Sequence, residues 1–307
     1  TLRPYQRMGL RWLAFMDQFG LGACLADDMG LGKTIQLIAL LVHEREHVRQ
    51  QGSTDNKIGP TLLIVPTSVV GNWVRELSRF APSLSVHVNH GPNRPTGDAF
   101  VEIAREKDVI LTTYALLSRD QETVSSVNWH RVALDEAQFI KNPPTKQTQA
   151  IRALTAQHRL ALTGTPVENR LSELWSIMEF CNSGYLDRLT EFKRRFAVPI
   201  ERGRDADRAE QLRLIVRPFI LRRLKTDPGV ADDLPECFET KEYATLTPEQ
   251  VSLYERVVNF MLGDIERVDG IQRRGLVLAT LVKLKQICNH PAQFLASSGA
   301  GKITGLT

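Results

Sequence analysis

Cysteine is scarce in this sequence. The 307 residues include four, Cys24, Cys181, Cys237 and Cys288, scattered with no C-x-x-C pair. That spacing excludes a disulfide-stapled scaffold and suits a reducing compartment. Cys288 and His290 form a C-x-H, but no second half of a zinc site follows, so these thiols read as buried or idle. Long apolar runs are also missing. None approaches the ~20 residues of a membrane span, and there is no secretory signal. No internal repeat is visible. A strong charge of one sign is absent too: the net charge of +4 permits a polyanionic partner without requiring one. What remains, 42% hydrophobic and 24% charged, is an ordinary globular composition, enough for one large domain or two smaller ones. The sequence begins at Thr1 and not Met, which reads as a piece of something longer.

What is present is an alternation. Short apolar runs predict buried strands at Leu21 to Ala26, Thr61 to Pro66, Asp108 to Tyr114, Trp129 to Glu136 and His158 to Pro166. Amphipathic helical stretches lie between them, including "TIQLIALLVHEREH" and "VGNWVRELSRF". This order predicts an α/β domain with a mostly parallel sheet and a ligand site at the carboxyl ends of its strands. Residues 50 to 60 are polar and rich in Gly and Pro, a surface loop. After Pro166 the texture becomes helical. Residues 188 to 225 carry twelve Lys and Arg against five Asp and Glu, with few strand signals. A helical insertion with a basic face and a solvated, charged helix pair both fit. Pro235 to Gln250 reads as a strand, then a helix start at Thr247-Pro248-Glu249 with a cap and a first-turn proline. "LVLATLVKLKQICNHP" is a helix ended by Pro291, and 296 to 307 is a linker. Trp73 and Trp175 recur at helical spacing with apolar residues and read as core.

Three stretches carry chemistry. The first is Gly30-Leu31-Gly32-Lys33-Thr34, between the first strand and the helix Ile35 to Glu46. It ends a phosphate-binding pattern, G-x-x-x-x-G-K-[ST], whose first glycine is here Asp27. A helix start that merely contains GKT would look the same without that context. Within it, Asp28, Met29, Gly30, Leu31 and Gly32 supply loop amides that would cradle a phosphate with the positive helix end. Lys33 would reach the β- and γ-phosphates, and the Thr34 hydroxyl would ligate Mg²⁺. The second stretch is "RVALDEAQ", an apolar strand ending in two acids. Asp135 would hold the metal, through water, and Glu136 would polarise an attacking water as general base. The pair argues for hydrolysis and against a small-molecule kinase, a solvated acidic turn being the alternative. The third is Thr163-Gly164-Thr165-Pro166, where hydroxyls at a strand tip could sense the γ-phosphate, or form a plain turn.

Together these stretches resemble the first motor lobe of a superfamily-two ATPase of the SWI/SNF type. "LRPYQRMGLRWL" resembles the family's N-terminal glutamine motif, which implies that Gln6 bonds adenine. "LADDMGLGKTIQ" resembles its motif I, in which an acid at the place of Asp27 is usual. "LLIVPTSVVGNWVREL", "VILTTYALL", "LDEAQFIKNP" and "LALTGTPVENRLSELWSIMEF" resemble motifs Ia, Ib, II and III. "RPFILRRLKTD" and "LKQICNHP" resemble segments peculiar to this family. The resemblance covers nearly all of 1 to 295 in order. It implies a RecA-like lobe at 1–168, a helical insertion at 169–230, a return to the lobe with a helical segment at 231–295, and a linker from 296 towards a second lobe. DEAQ, with Gln138 where many relatives have histidine, is similar to microbial members.

The resemblance further implies ATP and Mg²⁺ as cofactors and double-stranded DNA as a largely sequence-independent partner. Ser68, Asn72, Thr112, Thr113, Lys141 and Asn142 would contact its backbone, with helix capping as the local alternative for each. Gln138, Thr163, Gly164 and Thr165 would couple the ATP site to the rest of the motor. The basic helical segment would grip duplex or a protein partner. The expected place of action is the cytoplasm, on the nucleoid in a prokaryote, or the nucleus in a eukaryote. The implied activity is ATP-driven translocation on duplex DNA, with a strand-separating helicase and a non-catalytic ATP-dependent module as alternatives. After Leu295 nothing resembles the second lobe, whose arginines complete the site. The chain therefore resembles half a motor, expected to bind nucleotide and hydrolyse it very slowly.

Overall fold

The computed structural model describes residues 2–50, 58–230, 232, 240–265 and 269–297. The chain divides into two compact units, Thr1–Pro235 and Glu236–Thr307. The first is built on a seven-stranded sheet: β1 (Ala23–Leu25), β2 (Thr61–Val65), β3 (Val86–Val88), β4 (Val109–Thr113), β5 (Trp129–Leu134), β6 (Ala156–Leu162) and β7 (Ile220–Leu221). All neighbours pair in parallel, in the order β3-β4-β2-β5-β6-β1-β7. Parallel strands need crossovers, and the helices that supply them cover both faces. Hence β2 and β4 are buried at every position, and the sequence shows each as a short apolar run flanked by threonine.

Alternate residues of each strand feed two cores. On one face Leu25, Leu63, Leu111, Ala133 and Leu160 pack under α1 (Pro4–Gln18), α2 (Lys33–Gln50) and α3 (Val70–Phe80). On the other, Cys24, Leu62, Ile64, Ile110 and Val132 pack with Phe100 and Ala104 of α4 (Gly97–Glu106), and with Ile151, Ile177 and Phe180. In α3, Trp73 and Leu77 are one turn apart and both buried. Trp175 is buried as well.

Two strands differ from the sequence expectation. Neither β3 nor β7 was anticipated. Both are edge strands of three and two residues, none of them fully buried, so neither leaves an apolar run. β7 lies in the segment expected as a helical insertion with few strand signals, so the chain rejoins the sheet at Ile220. β6 begins two residues earlier than expected and ends at Leu162, leaving Thr163 to Pro166 as a loop.

In the second unit, the strand expected from Pro235 falls on 235–239, outside the described residues, and 240–247 has no regular structure. Helices run Pro248–Ile265, Gly270–Asn289 and Pro291–Ser297. The first starts as read. Thr247 Oγ1 accepts from Gln250 N (3.3 Å), and Gln250 Oε1 accepts from Thr247 N (2.9 Å), a reciprocal cap. Of the loop read at 50–60, Gln50 ends α2 and 51–57 lie outside the described residues; of the linker read at 296–307, 296 and 297 belong to the last helix and 298–307 lie outside them.

At the amino end of the sheet sits a buried charge cluster. Arg131 at the start of β5 donates to both oxygens of Asp17 (3.0 and 2.9 Å) and to Glu44. His130 and His158 stand edge to face at 4.8 Å, and His158 Nδ1 is 3.4 Å from Asp17 Oδ1. Burial holds the His158 imidazole below its usual pKa despite Asp17, and burial with Lys107 does the same to His87. Both favour the neutral form in the folded chain. The unfolded chain therefore takes up protons first as pH falls. Stability is full above about pH 6.5 and declines below it. Burial alone would raise Glu44, but Arg131, His130 and Arg45 hold it at about 2, so its contribution survives to lower pH. Asp17, raised by burial, has the opposite sign in that lower range. Thermal melts at pH 7.5, 6.5 and 5.5 are expected to show a falling midpoint; a flat profile would contradict this reading.

Candidate active site

The strand order places β5, β6 and β1 side by side, so the loops leaving their carboxyl ends converge. The loop after β1 turns on Gly30 (φ 89°) and Gly32 (φ 76°), backbone angles that a side chain would strain. α2 begins at Lys33, so its free N–H groups open towards the loop. Leu31 is buried with Tyr5 and Val230 and pins the turn from behind. Lys33 Nζ donates to Asp27 O (2.7 Å) and Asp28 O (3.4 Å). Burial lowers the pKa of this ammonium, against the pull of Glu136, Asp27, Asp135 and Asp28.

Gln6 closes one side of the loop. Its Oε1 accepts from Arg3 N (3.0 Å) and its Nε2 donates to Leu31 O (3.2 Å). A Cβ on Gly32 would stand 2.5 Å from Gln6 Nε2, so the turn and the glutamine need that glycine. Gln6, Met29, Gly30, Gly32, Lys33, Thr34, Asp135 and Glu136 line one cavity of about 560 Å³, together with Arg3, Asn72 and Trp73.

Asp135 follows β5. Its Oδ2 accepts from Trp73 Nε1 (2.7 Å) and its Oδ1 from Glu136 N (3.0 Å). Burial raises its carboxyl pKa, opposed by the Trp73 bond. Tyr114 Oη donates to Asp135 O (2.6 Å) from below, its ring stacked on Phe139 at 4.9 Å. Helical spacing marks Trp73 as core, where it is, but neither its bond to Asp135 nor that of Tyr114 leaves a mark in the sequence. An indole N–H aimed at a residue 62 positions away leaves no local signal. The expected cost of Trp73→Phe is about 1–3 kcal/mol, because a buried carboxylate loses its donor. Chemical denaturation checks the stability, and a nucleotide titration checks for weaker Mg²⁺-dependent binding.

Glu136 adopts left-handed backbone (φ 52°, ψ 58°), a conformation costing about 1–3 kcal/mol for a residue with a side chain. Its side chain starts a chain of hydrogen bonds. Gln138 Nε2 donates to Glu136 Oε2 (2.8 Å), and Gln138 Oε1 accepts from Thr163 Oγ1 (3.0 Å). Thr163 Oγ1 accepts from Thr165 N (3.1 Å), Thr165 Oγ1 donates to Glu168 (3.1 Å), and Glu168 pairs with Lys141. Gly164 lets this loop approach the first one: a Cβ there would lie 3.2 Å from Met29 Cγ and 4.0 Å from Lys33 Nζ.

The residues read as DNA contacts separate. Ser68 and Asn142 are exposed, Lys141 is half-buried, and Asn72 is exposed on the rim of the cavity just described. Thr112 and Thr113 do not fit that reading. Each is 2% exposed, and Thr112 Oγ1 donates to Asn89 O (3.3 Å). Asn89, just past β3, lies beside this end of β4 and takes the Thr112 bond, while Thr113 stands in register with Val65 of β2.

The residues from 5 to 293 match the model of the SNF2-related domain. YwqA of Bacillus subtilis, named as an ATP-dependent helicase/translocase, is 52% identical over 99% of this chain. The TATA-binding protein-associated factor MOT1 of Saccharomyces cerevisiae is 34% identical over 96%. Among solved structures, the Sulfolobus solfataricus SWI2/SNF2 ATPase core in complex with dsDNA superposes with a TM-score of 0.69 at 46% identity over 97% of this chain. The chain spans 32% of YwqA, 17% of MOT1 and 60% of the Sulfolobus chain. The glycine loop, the acidic box and the threonine loop all fall inside a match that runs almost from end to end, and the chain belongs to the SNF2-related family.

Proposed function

We propose that the chain is the ATP-binding lobe of a DNA-dependent ATPase that translocates on double-stranded DNA and remodels protein–DNA complexes. One observation carries the reading: Lys33, Thr34, Asp135 and Glu136 face a single cavity, and Gln138 links Glu136 to Thr163. The cavity also has Gln6 and Arg3 on its wall, which suits an adenine amide contact beside the phosphate end.

Each residue has a role in this reading. Loop amides and Lys33 hold the phosphates. The Thr34 hydroxyl and the Asp135 carboxylate share the cavity, a hard-oxygen pair that fits Mg²⁺. When bound, that ion would neutralise phosphate charge. Glu136 orients the attacking water and takes its proton. Its strained backbone and the Gln138 bond fix that carboxylate, and Thr163 and Thr165 report the state of the phosphates outward to Glu168 and Lys141. Ser68, Lys141 and Asn142 are accessible to a DNA backbone. That the Sulfolobus relative is described in complex with dsDNA supports the same partner here.

Among the described residues, the cations lining the cavity are Lys33 and Arg3, and Arg3 adjoins Gln6. Besides Arg3, no arginine among the described residues lines it, so in this reading the chain binds Mg-ATP and turns it over slowly. A second lobe would supply the missing arginine, an effect of about 10³–10⁵ in turnover. The test is phosphate release by the 307-residue chain with and without duplex DNA, alongside titration with a fluorescent ATP analogue. Mg²⁺-dependent binding with little DNA stimulation supports the reading. Strong DNA-stimulated turnover by this chain would show that it completes its own site.

A further inference from the structure

Asp27 occupies the place of the first glycine in the phosphate loop, and its carboxylate is wholly buried, 0% exposed. A buried carboxylate beside a polyphosphate site is a liability. It costs free energy unless paired, it repels phosphate, and it competes for the loop ammonium. Lys33 Nζ already lies 2.7 Å from the Asp27 carbonyl.

The pairing comes from far along the chain. Arg223 Nε donates to Asp27 Oδ1 (2.9 Å), and its Nη2 donates to Asp27 Oδ2. Nη2 also donates to Gln36 Oε1 (2.8 Å), Nη1 donates to the Tyr5 carbonyl, and the guanidinium stands 5.4 Å over the Tyr5 ring. Gln36 Nε2 returns a bond to Asp27 Oδ2 (3.2 Å). Gly9 on α1 leaves room for this arrangement, since a Cβ there would fall 1.9 Å from Gln36 Oε1 and 2.8 Å from Arg223 Nη2. The backbone supports it as well. Ala26 N donates to Leu221 O (2.7 Å) and Asp28 N to Arg223 O (3.0 Å), so β7 and the residues after it run alongside the start of the loop.

Resting on the nucleotide reading above, we propose that Arg223 is a positioning residue for nucleotide binding: it neutralises Asp27, so that Lys33 and the loop amides remain available to the phosphates. The charge, and not only the bulk, of Arg223 is what matters. Removing it leaves Asp27 to capture Lys33. Removing both charges relieves the conflict.

The test is a titration of the 307-residue chain with a fluorescent Mg-ATP analogue, comparing wild type, Lys33→Ala, Arg223→Gln and the pair Asp27→Asn with Arg223→Gln. A charge-assisted bond of this kind corresponds to roughly 10- to 100-fold in affinity. Arg223→Gln is expected to weaken binding by that factor, and the pair to recover most of it. Thermal melts run in parallel. If Arg223→Gln binds as wild type does, or the pair is as weak as Arg223→Gln alone, the proposal is overturned while the nucleotide reading stands. If Arg223→Gln does not fold, the pair decides: folded and binding supports the proposal, unfolded overturns it by making Arg223 a packing residue. A wild-type chain that binds no nucleotide overturns the nucleotide reading, and this proposal with it.

Discussion

Lys33→Ala is expected to weaken Mg-ATP binding by about 100-fold or more while leaving the melting temperature nearly unchanged. The two effects separate because of where the ammonium sits. It is half-buried, held by two loop carbonyls and surrounded by four carboxylates, and its desolvation lowers its own pKa. For the fold it is close to neutral, since losing its carbonyl bonds is offset by relief from burial. For a polyphosphate it is one of two cations among the described residues on the cavity wall. Charge-assisted bonds of about 1.5–3 kcal/mol each then go unmade. Fluorescence titration against a differential scanning melt checks both halves. Tight residual binding would move the nucleotide elsewhere, and a collapsed melt would make Lys33 a structural residue.

Arg131→Leu is expected to have the opposite profile, a large loss of stability. Arg131 is 1% exposed and the shared partner of Asp17 and Glu44. Removing it leaves two carboxylates in a poorly solvated site, a cost of about 3–5 kcal/mol. For a unit of this size that lowers the melting midpoint by roughly 6–20 °C. The triple variant Asp17→Leu, Glu44→Leu, Arg131→Leu should regain most of it, because apolar groups carry no unpaired charge. Arg131 lies at the opposite end of β5 from Asp135, so nucleotide affinity of whatever fraction remains folded should hold. A triple variant as unstable as the single one would mean that packing and not charge sets the cost.

The phosphate loop and the acidic box were legible because their chemistry demands residue types at short spacing. A glycine turn before a helix and two acids after a strand are each written within ten residues. Partners that supply the fine positioning are written elsewhere. Trp73 is 62 residues from Asp135, and Arg223 is 196 from Asp27. Nothing local distinguishes an indole that donates to a carboxylate from one that fills space. Likewise the two-residue β7 is too short for any period to register, yet it closes one edge of the sheet. The burial of Thr112 and Thr113 is hidden from the sequence for a related reason. Whether a strand-end hydroxyl meets solvent depends on what lies beside it, and the Asn89 carbonyl that takes the Thr112 bond follows β3, an edge strand too short to leave an apolar run. Arg131 could be read only as a cation inside a strand, because its partners come from two helices.

The pairing of β7 with β1 also sets a timetable. β1 is synthesised with residues 23 to 25, and its outer neighbour only with 220 and 221. At about 5–20 residues per second, roughly 10–40 s separate them on the ribosome. Through that interval at least one rim of β1 offers open backbone groups to other nascent chains, and Asp27 lacks its Arg223 partner. On the proposed nucleotide reading, capture would follow late in biogenesis, and truncations ending between β6 and Ile220 should accumulate as aggregating species that bind no ATP.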